Sequence, residues 1–511
     1  MLFRSARTGF TNASKQYFGL ATLGGSLFDL PGGPLGVAFS GEYRRESIAY
    51  QPDALSGIGG TRTAALAATE GYIEAMEFSA EARIPIFGDD FNIPLFRNLD
   101  LTPGVRIVRQ SGGAPAVKLL NGTTLNQKSS GDWNTIYSLA GTWRPIKMLS
   151  LRANYTRSVR QPSIVELFLG GQPAFTAVAD PCSNSNISGG LSPTTRRANC
   201  RAAVISSGLA ADAATADAFL NSYVPSGNAI TGTFAGSPNL APERGESWTV
   251  GGVFQPTFFP GLKISADYIN VKVKNQIIPT GIGTALQLCF DSPSFPDTTA
   301  QVGVNSCSFF SRIAAGQSRQ FEVDNGFNSG FINLGTLQVK AINATLEYRT
   351  DLDGLFGNNA GSIELYGNAY HLIDYLSASD GNLANALQSA GTFSRPKWEV
   401  QAHVRYDNGS FFAQWTTNWQ NATKVFSSGA PIPGTNDANE VQDLIANPAF
   451  ALHDFTVGVN FSENRKFRGQ FTVKNVFDKL IAGPYERVYG LNQGRIDDFG
   501  RRFVVSVSVK Y

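Results

Sequence analysis

The chain has 511 residues, 16% of them charged, with 53 Gly, 36 Phe, 16 Tyr and a formal net charge of +2. That charge is too small to argue for a nucleic-acid partner, and the aromatic, Gly-rich, charge-poor balance departs from the quarter of charged residues usual in soluble domains. Mean hydropathy is −0.11 and no apolar run approaches the ~18 residues of a membrane-crossing helix; this excludes a helical membrane protein but not a barrel, whose lipid-facing residues are only every second one.

The opening MLFRSARTGFTNASKQ lacks the apolar core of a signal peptide. For an exported barrel this predicts a truncated or mis-assigned start. Alternation with period two then predicts fifteen strands. Lys15–Leu30 is weak. Leu35–Arg45 sets Val37, Phe39 and Tyr43 against Ser40, Glu42 and Arg44. Tyr72–Pro85 sets Met76, Phe78 and Ala80 against Glu77, Ser79 and Glu81. Phe96–Arg109, Trp133–Arg144 and Met148–Arg160 follow, the last with Leu149, Leu151 and Tyr155 against Arg152, Asn154 and Thr156. Gly245–Gln255 and Leu262–Lys274 continue the pattern. Leu337–Arg349 shifts phase near Ala341, which predicts a bulge. Ser362–Leu372, Lys397–Tyr406, Phe411–Gln420, Ala451–Phe461 and Phe467–Phe477 lead to the last strand. In that strand Phe503, Val505, Val507, Val509 and Tyr511 share one face.

The connections alternate in length. Short ones fall at 31–34, 145–147, 256–261, 353–361, 407–409 and 462–465, a moderate one at 86–95, and long ones at 46–71, 110–132, 161–244, 275–336, 373–396, 421–448 and 478–500. Asp407-Asn408-Gly409 is a hairpin turn of the kind Asp and Asn before Gly favour. A sandwich has no reason to keep its short turns at one end. A barrel in the outer membrane does, with tight periplasmic turns and long extracellular loops. The expected fold class is therefore all-β, an antiparallel transmembrane β-barrel, with residues 1–511 as one barrel domain. Its apolar face is expected to be nearly free of charge, because Lys or Arg there costs about 2–4 kcal/mol at the midplane. Trp143, Trp398, Trp419, Tyr406, Phe461 and Tyr511 lie near strand ends, where aromatic girdles sit.

The four cysteines are Cys182, Cys200, Cys289 and Cys307. With no CxxC and three scattered histidines, two local disulfides in an oxidising compartment are a better reading than zinc, although spacing does not fix the connectivity. All four fall in the longest loops. Thr194–Leu220, Ala-rich and without alternation, is expected to hold a short helix. The second loop carries Phe290, Phe295, Phe309, Phe310, Phe321 and Phe327; these either offer stacking platforms to a ligand or pack the loop on itself. Arg160 and Glu166 stand where a strand becomes a long loop, and a charge-assisted pair there would fix the loop's exit. No HExxH, GxSxG or Walker loop occurs, so neither an enzyme nor a cofactor is expected.

Several stretches, in order, resemble the TonB-dependent outer-membrane receptors. Gly41-Glu42-Tyr43-Arg44-Arg45-Glu46-Ser47 is similar to that family's early-barrel motif. Ser158-Val159-Arg160-Gln161-Pro162-Ser163 with Glu166-Leu167-Phe168 is similar to its S-x-R-x-P-S-x-x-E-L-F element. Asn239-Leu240-Ala241-Pro242-Glu243, running into Ser247-Trp248-Thr249-Val250-Gly251, resembles its L-x-P-E strand entry. Asn475-Val476-Phe477-Asp478-Lys479 and Gly500-Arg501-Arg502-Phe503 complete the set. The resemblance implies a 22-stranded barrel, of which about fifteen strands are read here. It also implies an N-terminal plug pulled by the TonB coupling protein. No plug is read in this chain, so that partner would act only through a domain absent from it. The implied function is energy-coupled uptake of a scarce siderophore, vitamin or carbohydrate across the outer membrane of a Gram-negative bacterium. The implied partners are outer-membrane lipid and, through the C-terminal strand, the barrel-assembly machinery. A passive porin and a secreted β-rich adhesin are the alternatives.

Overall fold

The computed structural model of the protein describes residues 8–61, 64–88, 91, 93–118, 124–190, 192–299, 305–378, 380–392, 395–424, 446–461, 466–480 and 499–509. Fifteen long strands form its wall. In chain order they are β1 (Phe10–Leu30), β2 (Gly33–Pro52), β3 (Thr69–Phe87), β4 (Asn98–Gly113) and β5 (Asn134–Ile146). Next come β6 (Leu149–Arg160), β7 (Glu243–Phe254), β8 (Leu262–Thr280), β9 (Phe327–Asp351) and β10 (Ser362–Ala378). The last five are β11 (Trp398–Asp407), β12 (Phe411–Gln420), β13 (Phe450–Asn460), β14 (Phe467–Lys474) and β15 (Arg502–Val509). Each pairs antiparallel with the next, and four short loop strands bring the sheet to 19.

The strands exceed their alternating cores. β9 runs 25 residues and β1 runs 21, because both extend past the apolar band into the long-loop end. The register shift near Ala341 is present, but the extra residue is Ile373 on the neighbouring β10: Ala341 faces Leu372 and Lys340 faces Asp374. The phase change along β9 itself has another cause. Lys340 and Gln338 stay on the face of Ile342, and that face simply turns polar toward the loops.

Turn chemistry follows the sequence. Gly409 sits at φ +87°, a value that favours glycine. Asp407 accepts the Gly409 N–H at 2.8 Å, and Asn408 accepts that of Phe411 at 2.8 Å. In the long loop after β6, two helices form where one was expected, α2 (Pro193–Ser206) and α3 (Ala213–Ser222), after the short α1 (Ile164–Phe168). Gly208, at φ +78°, ends the first. Asp212 caps the second through the Thr215 N–H at 2.8 Å.

Register fixes the two faces of the wall. Tyr137, Tyr155, Trp248, Tyr268, Ile342, Trp398, Trp415, Phe455, Phe471 and Val505 all lie on one face, and Trp248 and Val250 are 40% and 50% exposed there. The opposite face carries paired charges: Arg152 donates to Asp267 at 2.7 and 2.5 Å, and Arg106 meets Glu77 at 3.2 Å. The apolar face is free of charge through its middle, but toward the loops it holds Arg45 with Glu74, then Arg157, Glu246, Lys272, and Lys340 with Asp374. The expectation of a nearly charge-free face thus holds for the band and not for its loop-side rim. No helix among the described residues is long and apolar enough to cross a membrane; the strands supply the apolar surface.

Among the described residues β1 and β15 each have one neighbour in the wall. Both run from the long-loop end to the short-turn end, so a direct contact between them would be parallel. Antiparallel closure takes an odd number of strands between them, as a 22-stranded ring would have. Phe503, Val505, Val507 and Val509 of β15 face Val473, Phe471, Gly469 and Phe467. Tyr511 lies outside the described residues.

Candidate functional site: a clamped cap on the strand tops

The loop after β6 first turns inward. Ser163 and Glu166 close a capping box around α1: the Ser163 N–H donates to Glu166 Oε2 at 2.7 Å, and the Glu166 N–H donates to Ser163 Oγ at 3.3 Å. Glu166 also accepts both arms of the Arg160 guanidinium, at 3.0 and 2.9 Å. The same guanidinium reaches Glu243 at 2.6 Å, and the Ile277 N–H donates to that carboxylate at 2.8 Å. One cation therefore ties the exit of β6, helix α1 and the entry of β7. Burial pushes the Glu166 carboxyl up, but the Arg160 bond, the Ser163 N–H and the Arg160 charge together hold it below the usual carboxylate range. Leu167 and Phe168 are fully buried against Ile73. Gly71 makes room for them, since a Cβ there would lie 3.0 Å from Phe168 Cδ2. The Gln110 amide donates to the Pro162 carbonyl at 2.8 Å. Ile73 and Gln110 belong to the polar-face set, so α1 docks on the lumen side of the strand tops.

Beyond α1 the two long loops merge into one cap. Cys182–Cys200 and Cys289–Cys307 are disulfides, each closing 18 positions within its own loop. Both lie at the long-loop end. Loop strand 172–177 pairs antiparallel with 229–235, and 232–235 pairs parallel with 327–330 at the start of β9. The cap is thus hydrogen-bonded to the wall.

Between the loops lies a buried core. Asp180 and Arg312 pair at 2.7 and 2.9 Å, with Asp180 2% exposed. The Arg312 guanidinium sits 4.1 Å from the Phe321 ring centroid and 4.9 Å from that of Phe290. Tyr223 donates its hydroxyl to Asp180 at 3.0 Å, and the Cys182 N–H donates at 2.9 Å. Burial pushes the Tyr223 phenol far up, with the Asp180 charge adding to it. Burial alone would raise Asp180, but the Arg312 charge, its hydrogen bonds, the Cys182 N–H and the Tyr223 hydroxyl hold it low. A second buried pair, Arg196 with Asp291 at 2.5 and 2.7 Å, joins α2 to the end of α4 (Ile282–Phe290). The phenylalanines of the second loop mostly fill this core: Phe290, Phe321 and Phe327 are at most 2% exposed, and Phe295, Phe309 and Phe310 pack against them.

A cavity of about 1200 Å3 lies where the cap meets β8 and β9. Its lining includes Ser237, Asn239, Lys272, Lys274, Phe309, Phe331, Asn333 and Asp380. Among the described residues, Lys272 and Lys274 form no ion pair. No group of three or more His, Cys, Asp or Glu that could hold a metal occurs among them. Sequence reasoning left out Asp180, Arg312 and the two lysines, and placed Glu243 in the strand-entry motif without its partner Arg160. For Glu243 a signal existed, since it closes the Pro-Glu pair at the entry of β7. For the others no local pattern marks the partner.

An apolar-banded antiparallel wall, with tight turns at one end and a disulfide-pinned cap at the other, defines a protein of the outer-membrane barrel class. The chain belongs to the TonB dependent receptor-like, beta-barrel family, whose model matches residues 2–476. Among solved structures it is similar in fold to the siderophore receptor PirA of Acinetobacter baumannii, with 14% identity and a TM-score of 0.51 over 98% of this chain and 63% of that one. It is likewise similar to the hemophore receptor HasR of Serratia marcescens, with 13% identity and a TM-score of 0.53 over 99% and 60%. The ferric enterobactin receptor PfeA of Pseudomonas aeruginosa gives 14%, 0.50, 98% and 62%. The chain therefore spans about three fifths of the length of these structural relatives. No curated protein matches the sequence.

Proposed function

We propose that the protein serves energy-coupled uptake of a scarce ligand through the outer membrane, the ligand being a siderophore, vitamin or carbohydrate. The observation that carries this reading is the cap. Two disulfide-pinned loops, joined through Asp180 and Arg312 and hydrogen-bonded to β9, stand over the long-loop end. A passive porin needs an open mouth, whereas a receptor needs a preorganised surface. Iron carriers lead the ligand classes, because the related structures are described as receptors for siderophores, for a heme-bearing hemophore and for ferric enterobactin.

In this reading the coupling protein acts through a plug, and the polar face of the wall, carrying both signs of charge, is the surface that grips it. The face of β15 with Phe503, Val505, Val507 and Val509 is the one offered to the assembly machinery and to lipid. The test is growth on single defined iron chelates, vitamins or sugars after deletion of the gene that encodes the chain. Loss of growth on one class, reproduced by removing the coupling protein, is the expected result. Unaffected growth together with steady ion conductance of the purified protein in a planar bilayer would favour the porin. A protein that stays in the aqueous phase on detergent partition would favour the adhesin.

A further inference from the structure

We propose that the cavity of about 1200 Å3 at the seam of cap and wall binds an oligosaccharide carrying a single carboxylate. Part of its lining is a fixed frame. Asn333 donates to the Ala241 and Asn275 carbonyls at 2.7 and 3.0 Å and accepts the Ala241 N–H at 2.8 Å. The Thr336 hydroxyl donates to the Gly381 carbonyl at 2.9 Å. Asp380 accepts from the Asn382 N–H at 2.9 Å and from the Asn385 amide at 2.7 Å. These bonds join loop 236–241, β8, β9 and the start of the loop after β10 around one space. A frame already paired in this way leaves little to order when a ligand enters.

The rest of the polar lining is open. The side chains of Asn239, Asn275, Lys272 and Lys274 form no hydrogen bond or ion pair among the described residues. Asn328 is held by parallel pairing with Thr233, yet its Oδ1 is buried and accepts no hydrogen bond. A buried acceptor without a donor is costly, and rotation of this amide brings it to a ligand hydroxyl. A carboxamide both donates and accepts, as a sugar hydroxyl does, so three open amides suit neighbouring hydroxyls. Phe331 stands edge-on to Phe234 with ring centroids 5.2 Å apart, and Phe309 packs on Ile332 and Leu334. Both rings are half-buried and suit the apolar faces of sugars. Lys272 and Lys274 lie two positions apart on one strand face, about 7 Å from each other. Two ammonium groups at that spacing suit one carboxylate between them. Asp380 in the same lining accepts hydroxyls but repels a second anionic group, so a polyanion fits poorly. The volume exceeds the roughly 300–1000 Å3 of sites for drug-sized molecules and leaves room for several sugar rings.

The site is separate from the choice of carried ligand. The full chain in detergent micelles is titrated calorimetrically with aldotriouronic acid, which bears one carboxylate, with the neutral xylotriose and with ferric citrate. The acidic trisaccharide should bind about tenfold more tightly than the neutral one. K272Q/K274Q should bring the two to equal affinity. Asn328→Leu should weaken both roughly fivefold while the cap's resistance to proteolysis is unchanged, because the amide oxygen has no partner to leave behind. No trisaccharide binding, an acid preference that survives K272Q/K274Q, full affinity in Asn328→Leu, or ferric citrate held more tightly through the same lysines would overturn the proposal. None of these results touches the uptake reading, which growth on defined substrates tests.

Discussion

Asp180 and Arg312 stand 132 positions apart in the chain and meet in a two-armed ion pair with the Tyr223 hydroxyl as third partner. Here the two disulfide loops share a buried charge of each sign, with the Phe321 and Phe290 rings beside the guanidinium. Removing one member leaves the other desolvated and alone, which typically costs about 3–5 kcal/mol. Asp180→Asn is therefore expected to loosen the cap, not the wall. Limited proteolysis should cut within 161–242 and 281–326 while the strands stay protected. Equal resistance of variant and parent would sink the assignment of the pair as the cap's clamp.

Acid should open the same clamp. In the folded cap, Asp180 and Glu322 both titrate below their ordinary values: burial raises each, and the guanidinium of Arg312 or Arg319 with nearby donors overrides it. An unfolded carboxyl takes up its proton near pH ~4. Stability from these groups is thus complete above that pH and is lost as pH falls toward the depressed folded values. Protection of the cap amides against hydrogen exchange, corrected for the intrinsic rate at each pH, should fall as pH drops from about 4 toward the acid limit of the folded wall. In Asp180→Asn that fall should be smaller, because one titrating group is gone. Cap protection that instead falls as pH rises would contradict the sign.

Arg160 serves two carboxylates at once, Glu166 and Glu243. Arg160→Ala should free both and release α1 from the strand tops, at about 1–3 kcal/mol for each charged partner left behind. The readout is exchange at Ser163–Phe168 and the accessibility of Phe168, now fully buried. Glu166→Gln should be milder, since the amide keeps the Ser163 contact. An Arg160→Ala protein with α1 still protected would show that apolar docking alone holds the helix.

The faces of the wall can be told apart by one charge. Val250→Arg puts a guanidinium on the exposed apolar face and should cost about 2–4 kcal/mol if lipid lies there. Thr249→Arg, one residue away on the polar face, should cost far less. Denaturant unfolding from lipid vesicles measures both. Equal penalties would point to a sheet covered on both sides.

The sequence by itself determined the wall. Alternation is a local property of an extended chain, so Leu149 to Arg160 or Phe467 to Lys474 announce which side chains share a face without any partner. Connection lengths are just as local, and they placed tight turns and long loops at opposite ends. Even the helices of 193–222 show in the loss of alternation, although the break at Gly208 does not. Only the tertiary structure decided what the loops do. Glu243 reaches Arg160 across 83 positions, and Asp180 finds Arg312 across 132. The charged loop-side rim of the apolar face exists because register sets Arg157 beside Glu246 and Glu246 beside Lys272. Such meetings depend on where the chain returns, and no period within a strand carries that information.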